Sequence, residues 1–186
     1  IDLLTTLTPV EFAGFRDKLK PASGFQSLQF REIEFTYGLR HEFFLKYFAD
    51  KPLYLQKLTH IQSKPSVYDE FLMALNRARY LVPREVLERD VKEAWVLNME
   101  MVSLFKTIYE KPEENYHWVL LFEALLDFDQ AMSEWRSNHI LMVARTIGAK
   151  KGTGGSSGMS FLQGRLDLRL FPELWEVRNA LWGTPA

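Results

Sequence analysis

Two features of this sequence carry chemistry: an imidazole set in an apolar helix, and a run of bare backbone amides shortly after it. At helical period, Asp127 to Ile147 places His139 near the middle of a helix whose other positions are largely apolar, continuing to Gly148. Just beyond comes Gly152-Thr153-Gly154-Gly155-Ser156-Ser157-Gly158. An imidazole on a rigid helix can ligate a metal, and glycines let a backbone approach a flat ligand closely. A buried imidazole beside such a loop is a candidate cofactor site. Each signal is unspecific alone, since a lone histidine in an amphipathic helix is most often a packing or surface residue and a glycine run is often a linker. The run lacks a GK[ST] ending and a preceding strand, so a nucleotide phosphate is not its expected ligand. His41, His60 and His117 stand in polar or helix-end contexts with no second ligand at metal spacing, and surface roles are expected for them.

A second candidate group lies near the start of the chain. Thr8-Pro9-Val10-Glu11 is a helix opening: Thr8 can cap, Pro9 suits the first helical position, and Glu11 stands where a capping box wants a carboxylate. The helix is expected to run to about Lys20 and stop before Pro21. On it Phe12 and Arg16 are four apart and share a face. Two readings of Arg16 stay open on the residues alone: an exposed guanidinium paired with Glu11 or Asp17, or a fork held ready for a ligand carboxylate. Pro21 to Gly24 reads as a tight loop in which Ser23 and Gly24 would let the backbone come close to a flat ligand.

The elements that must position these residues all read as helices. Helical spacing resumes from Phe25 to Tyr37 with Gly38 as its C-cap, and a short helix over Arg40 to Asp50 presents Phe43, Phe44, Tyr47 and Phe48 as an apolar side expected in the core. Pro52 opens a helix to about Ile61, Ser66 caps one to about Tyr80, and Pro83 begins a brief one. Val91 to Tyr109 reads as a long helix closed before Pro112. From Glu113 to Ile147 the spacing of Trp118, Leu121, Phe122, Leu125, Leu126, Phe128, Met132, Trp135, His139, Met142, Val143 and Ile147 fits one long helix with a continuous apolar face. Phe161 to Leu170 and Pro172 to Trp182 read as closing helices. No strand, hairpin dipeptide or repeat is found, so the expected fold is all-α, a helical bundle with residues 1–186 forming one domain.

Composition narrows the chemistry. The 186 residues are 47% hydrophobic, enough for a substantial core, and 23 basic residues balance 24 acidic ones, which gives no reason to expect nucleic acid or an anionic membrane as partner. There is no cysteine. Disulfides, iron–sulfur clusters and thiolate-ligated haem are thereby excluded, leaving His, Met, Tyr or carboxylates as metal ligands. No apolar run reaches the roughly 18 residues of a membrane span and no signal peptide is visible, so the expectation is a soluble cytoplasmic protein. Ile1-Asp2-Leu3-Leu4 reads as the end of a helix already under way, which suggests a fragment lacking an N-terminal segment.

The strings around these residues resemble a known family. Trp135-Arg136-Ser137-Asn138-His139, then Val143 to Gly148, then Lys151 to Gly158, resemble the C-terminal signature of the tryptophan 2,3-dioxygenases, which are haem enzymes. Pro21 to Arg31, with the order Pro-Ala-Ser-Gly-Phe-Gln-Ser-Leu-Gln-Phe-Arg, is similar to the other hallmark of that family. The resemblance runs from about Leu7 to Leu181 and is faint across Arg40 to Tyr109. It implies a helical haem-binding dioxygenase fold with His139 as the axial ligand of haem b iron. It implies that Arg16 grips the substrate carboxylate, Thr153 helps hold its ammonium, and Phe12 lines the same pocket. Ser23 and Gly24 correspond to the loop against haem and indole, and Trp135, Gly152 and Gly154 border the haem and substrate pocket.

The reaction the resemblance implies is insertion of both atoms of O₂ across the indole C2–C3 bond of L-tryptophan, giving N-formylkynurenine in tryptophan catabolism by the kynurenine pathway. No residue of this chain acts as an acid or base in it, and the partners are L-tryptophan, O₂ and further copies of the chain, the family being typically homotetrameric. The resemblance places the family's distal-side histidine in an N-terminal segment, which the fragment reading expects to lie outside these residues. Two other readings compete. One is a related haem oxygenase acting on another indole in secondary metabolism; the other is a non-catalytic haem-binding or oligomerisation module.

Overall fold

The computed structural model describes residues 6–18, 27–148 and 162–183. Among them every regular element is a helix and none is a strand: α1 (Pro9–Lys18), α2 (Leu28–Tyr37), α3 (Glu42–Tyr47), α4 (Pro52–Gln62), α5 (Val67–Arg77), α6 (Arg84–Glu88), α7 (Met99–Tyr109), α8 (Tyr116–Ile147) and α9 (Pro172–Trp182). The all-α expectation holds. The chain divides into two compact units, one containing α1, α8 from Phe128 onward and the chain to Arg169, the other containing Leu28–Asp127 and the chain from Leu170.

The larger unit is organised by packing of α2 on α4 and α5, and of α7 on α9. Its centre is aromatic. Phe71 meets Phe105 and Phe122 at ring-centroid distances of 5.8 and 5.5 Å, and Tyr68 meets Phe171 edge-on at 5.3 Å. Offset and edge-to-face pairs of this kind add to the area they bury. The ends of α2 and α4 are joined by Arg40, which is 2% exposed and donates to the carbonyls of Phe35, Gln62 and Lys64 at 3.3, 3.3 and 2.7 Å. Arg31 pairs with Glu34 and lies 4.2 Å over the Phe44 ring.

Several boundaries follow directly from local chemistry. Ser66 and Asp69 form the reciprocal box: Ser66 Oγ accepts from the Asp69 amide at 3.1 Å, and Asp69 Oδ2 accepts from the Ser66 amide and hydroxyl, both at 2.7 Å. At the end of α2, Gly38 takes φ +107°, and a Cβ there would stand 3.3 Å from Ser66 Oγ. Only glycine suits that position. The α5 helix stops at Arg77, short of the expected Tyr80, because Arg79 turns left-handed at φ 69° and the Tyr80 amide reaches back to the Leu75 carbonyl at 3.1 Å.

Three expectations are corrected. Residues 91–98 are not helical, and α7 begins only at Met99, capped by Asn98 Oδ1, which accepts from the amides of Glu100 and Met101. The reason is a tertiary one: Glu173, on the first turn of α9 and fully buried, accepts from the Asn98 amide and Trp95 Nε1, each at 2.7 Å, and from the Tyr68 hydroxyl at 2.5 Å. From Leu162 to Leu168 the chain makes a short turn of helix and then i→i+3 turns rather than a helix to Leu170. In α3, Phe44 and Phe48 are buried but Phe43 is 51% exposed, so the aromatic stripe is core on one side only.

Two predictions follow from these ties. Burial holds the Glu173 carboxyl above its ordinary value of 4.5, against the pull of the bonds it accepts. A carboxyl raised on folding contributes stability that is complete below about 4.5 and declines as pH rises through the folded value. Urea unfolding should therefore show a fall over that window which Glu173→Gln flattens, whereas Glu173→Ala, leaving the buried Tyr68 hydroxyl and the part-buried N–H groups of Trp95 and Asn98 without their acceptor, should cost about 3 kcal/mol. At the start of α1, Glu11 Oε2 accepts from the Thr8 amide and hydroxyl at 2.8 and 2.7 Å, and Thr8 Oγ1 accepts from the Glu11 amide at 3.3 Å. Those bonds hold Glu11 below 4.5, so the cap is present above that pH and is lost as pH falls through the depressed value. The protection factors of the Thr8 and Glu11 amides, taken against the intrinsic exchange rate at each pH, should fall on acidification, and Thr8→Val should show the lower protection already at neutral pH.

Candidate functional site

The smaller unit holds those candidate residues that the structure describes. Phe12 and Arg16 are both half-buried on α1, whose entry is fixed by the Thr8–Glu11 box. Because Glu11 is engaged in that box, the capping half of the sequence reading is met by the residue that the alternative would have paired with Arg16. Phe15, on the same helix, is 45% exposed.

The α8 helix runs unbroken over 32 residues, as its spacing suggests, but its apolar face is not the continuous one expected. Within the smaller unit one buried line is Asp129, Met132, Arg136 and Ile140, following the 3.6-residue period, and Met142 is buried on the flank that carries His139. Trp135 and His139 lie beside that line rather than on it, Trp135 being 42% exposed and His139 half-buried. Arg136 anchors the buried side: its Nη1 donates to the Leu168 carbonyl at 3.0 Å, and Arg169 Nη1 donates across to Ser133 Oγ at 3.4 Å and to the Leu166 carbonyl at 2.8 Å. The chain at 162–169 thereby covers one side of α8, and His139 stands on the flank beside the buried line. Arg136 and Asp129 were missed as positioning groups. Their seven-residue separation within an apolar period was the available signal.

His139 stacks on Trp135, four residues earlier, with ring centroids 5.2 Å apart and planes within 5° of parallel. Burial pulls its pKa below the ordinary 6.5, which favours the neutral ring that a metal requires. Among the described residues no hydrogen bond occupies either ring nitrogen. Further along, a cavity of about 310 Å³ is lined by Thr6, Leu7, Thr8 and Pro9 from the approach to α1 and by Met142, Arg145 and Thr146 from α8. Thr146 stands seven residues after His139, two turns on along the same face. The helix that carries Phe12 and Arg16 and the helix that carries His139 thus line one cavity, although the residues at its walls were not singled out from the sequence as a site.

Ser23, Gly24, Gly152, Thr153 and Gly154 lie outside the described residues. His60 and His117 are exposed and His41 is half-buried. Among the described residues no three His, Cys, Asp or Glu side chains gather as a cage for a metal ion. A lone neutral imidazole flanked by Trp135, Met142 and Val143 is instead the donor set for a metal that brings its own macrocycle, as haem iron does. The residues present fit such a group. No helix among the described residues is long and apolar enough to cross a membrane.

Comparison with known proteins identifies the family of the chain. The family model described as tryptophan 2,3-dioxygenase matches residues 1–65 and 98–181. The chain is 46% identical over 180 residues to the tryptophan 2,3-dioxygenase of Kineococcus radiotolerans, with 96% of this chain and 63% of that protein covered. It is 44% identical over 179 residues to that of Arthrobacter sp. (strain FB24), covering 96% and 63%, and 42% identical over 183 residues to that of Myxococcus xanthus, covering 98% and 63%. The chain spans a little under two thirds of the length of these relatives. On the strength of this match, the chain belongs to the tryptophan 2,3-dioxygenase family.

Proposed function

We propose that the protein works as a haem-dependent dioxygenase that opens the indole C2–C3 bond of L-tryptophan with O₂ to give N-formylkynurenine. The observation that carries this reading is His139: a half-buried imidazole with no hydrogen bond to its nitrogens among the described residues, on the helix that shares a cavity with the start of α1. Bound at His139, haem b would supply the iron that takes up O₂. The chain's own residues bind, orient and exclude water. Arg16 offers a permanently charged fork to the substrate carboxylate, Thr153 a hydroxyl to its ammonium, and Phe12 an apolar wall to the indole. Ser23 and Gly24 bring backbone close to the flat ligands, and Trp135, Gly152 and Gly154 border the same pocket. No acid or base of this chain is needed, because the oxygen chemistry belongs to the cofactor. A homotetramer in the cytoplasm completes the proposal, on the family resemblance alone.

Loading with haem and recording the absorption spectrum tests the ligand. His139→Ala should lose or strongly shift the Soret band; an identical spectrum in both proteins would remove His139 from the iron. For the substrate clamp, Arg16→Ala should raise KM for L-tryptophan about ten- to a hundredfold, the worth of a charge-assisted bond, with the Soret band retained. Arg16→Lys should recover little, since an ammonium cannot reproduce the bidentate fork. Unchanged KM in both variants would refute the carboxylate role.

A further inference from the structure

An imidazole has a broad second torsion, so a ring that no hydrogen bond holds in place can turn about its bond to Cβ. In metal sites that freedom is ordinarily removed by an acceptor on the nitrogen opposite the metal. At His139 the ring contact among the described residues is aromatic. The Trp135 indole, one helical turn earlier, lies within 5° of parallel to the imidazole at 5.2 Å between centroids, an offset stack on a side chain whose own position is set by the rigid helix. A tryptophan left 42% exposed contributes less by burial than the same ring in the core would. Arg136, the next residue, is buried and bonded to Leu168, which fixes the rotation of α8 and with it the side on which both rings project.

We propose that Trp135 is a positioning residue that sets the plane of the His139 ring, and through it the strength and orientation of the axial bond to a haem iron. The proposal rests on the haem reading of His139 given above. It assigns to Trp135 a role distinct from lining the pocket, one that acts through the ligand.

The test compares Trp135→Phe, which keeps a stacking ring, with Trp135→Leu and Trp135→Met, which keep apolar bulk without one; circular dichroism establishes that each is folded. In the ferrous haem-loaded protein, the iron–histidine stretching band should be as narrow in Trp135→Phe as in the wild type and broadened or shifted in the Leu and Met variants. Haem release from the latter should be about two- to tenfold faster, the fold-change equivalent of one aromatic pair. In the haem-free protein, carbon relaxation of the His139 ring should report a rigid imidazole in the wild type and Trp135→Phe and a mobile one in the other two. If all four proteins give the same band and the same ring order, or if Trp135→Phe is altered as much as Trp135→Leu, the stack does not set the ring plane and the proposal is overturned. Failure of the haem reading is told apart by His139→Ala, which would then keep the wild-type Soret band, while ring order in the haem-free protein still decides what Trp135 does.

Discussion

The constraint from which the candidate site follows is rotational: a long helix that buries one line of side chains has no choice about where the neighbouring lines point. On α8 the buried line from Phe128 onward contains two charged residues, Asp129 and Arg136, among Met132 and Ile140. Charged groups in such places are costly to leave without partners, and Arg136 meets the Leu168 carbonyl. A rotation of the helix by even one residue, about 100°, would expose that bond and bury a different face. Because Arg136 fixes the rotation, Trp135 and His139 share a side beside the buried line, and Thr146 carries that side on to the cavity at the start of α1.

The larger unit is tied by a different device. Glu173 gathers three donors from three places in the chain, one on α5 and two on the stretch before α7. That stretch cannot be helical while its Trp95 indole and Asn98 amide are both turned toward one carboxylate, so α7 begins where Asn98 can cap it. The stretch 66–97, which the family model does not match, is nonetheless built into this core through Tyr68, Phe71 and Trp95.

What the sequence could show was decided by the range of the interactions involved. Both capping boxes were legible because their partners stand three residues apart, as were Pro52 at the head of α4 and Gly38 at the end of α2. The extent of α8 was legible because its apolar period persists for many turns. The break over 91–98 was not, since nothing within those residues announces a carboxylate far along the chain, and Leu162–Leu168 fails as a helix for a like reason, its carbonyls being used by Arg136 and Arg169. At the site, His139 and Arg16 could be singled out by residue type and spacing. The split of the α8 face could not, because apolar spacing alone does not distinguish positions that are fully buried from those left part-exposed beside them.

Arg40 adds a property of another kind to the larger unit. Its guanidinium meets carbonyls rather than a carboxylate, and two of them, on Phe35 and Gln62, belong to the last turns of α2 and α4, where the peptide dipoles leave partial negative charge. An ion pair can be undone by a proton; a cation held by helix ends cannot, because neither the backbone oxygens nor an arginine changes charge in the accessible pH range. The arginine's hold on the ends of α2 and α4 is thus indifferent to acidification, whereas the helix start at Thr8 depends on an ionised Glu11 carboxylate. As pH falls, the start of α1 should loosen while Arg40 keeps its grip on the two helix ends.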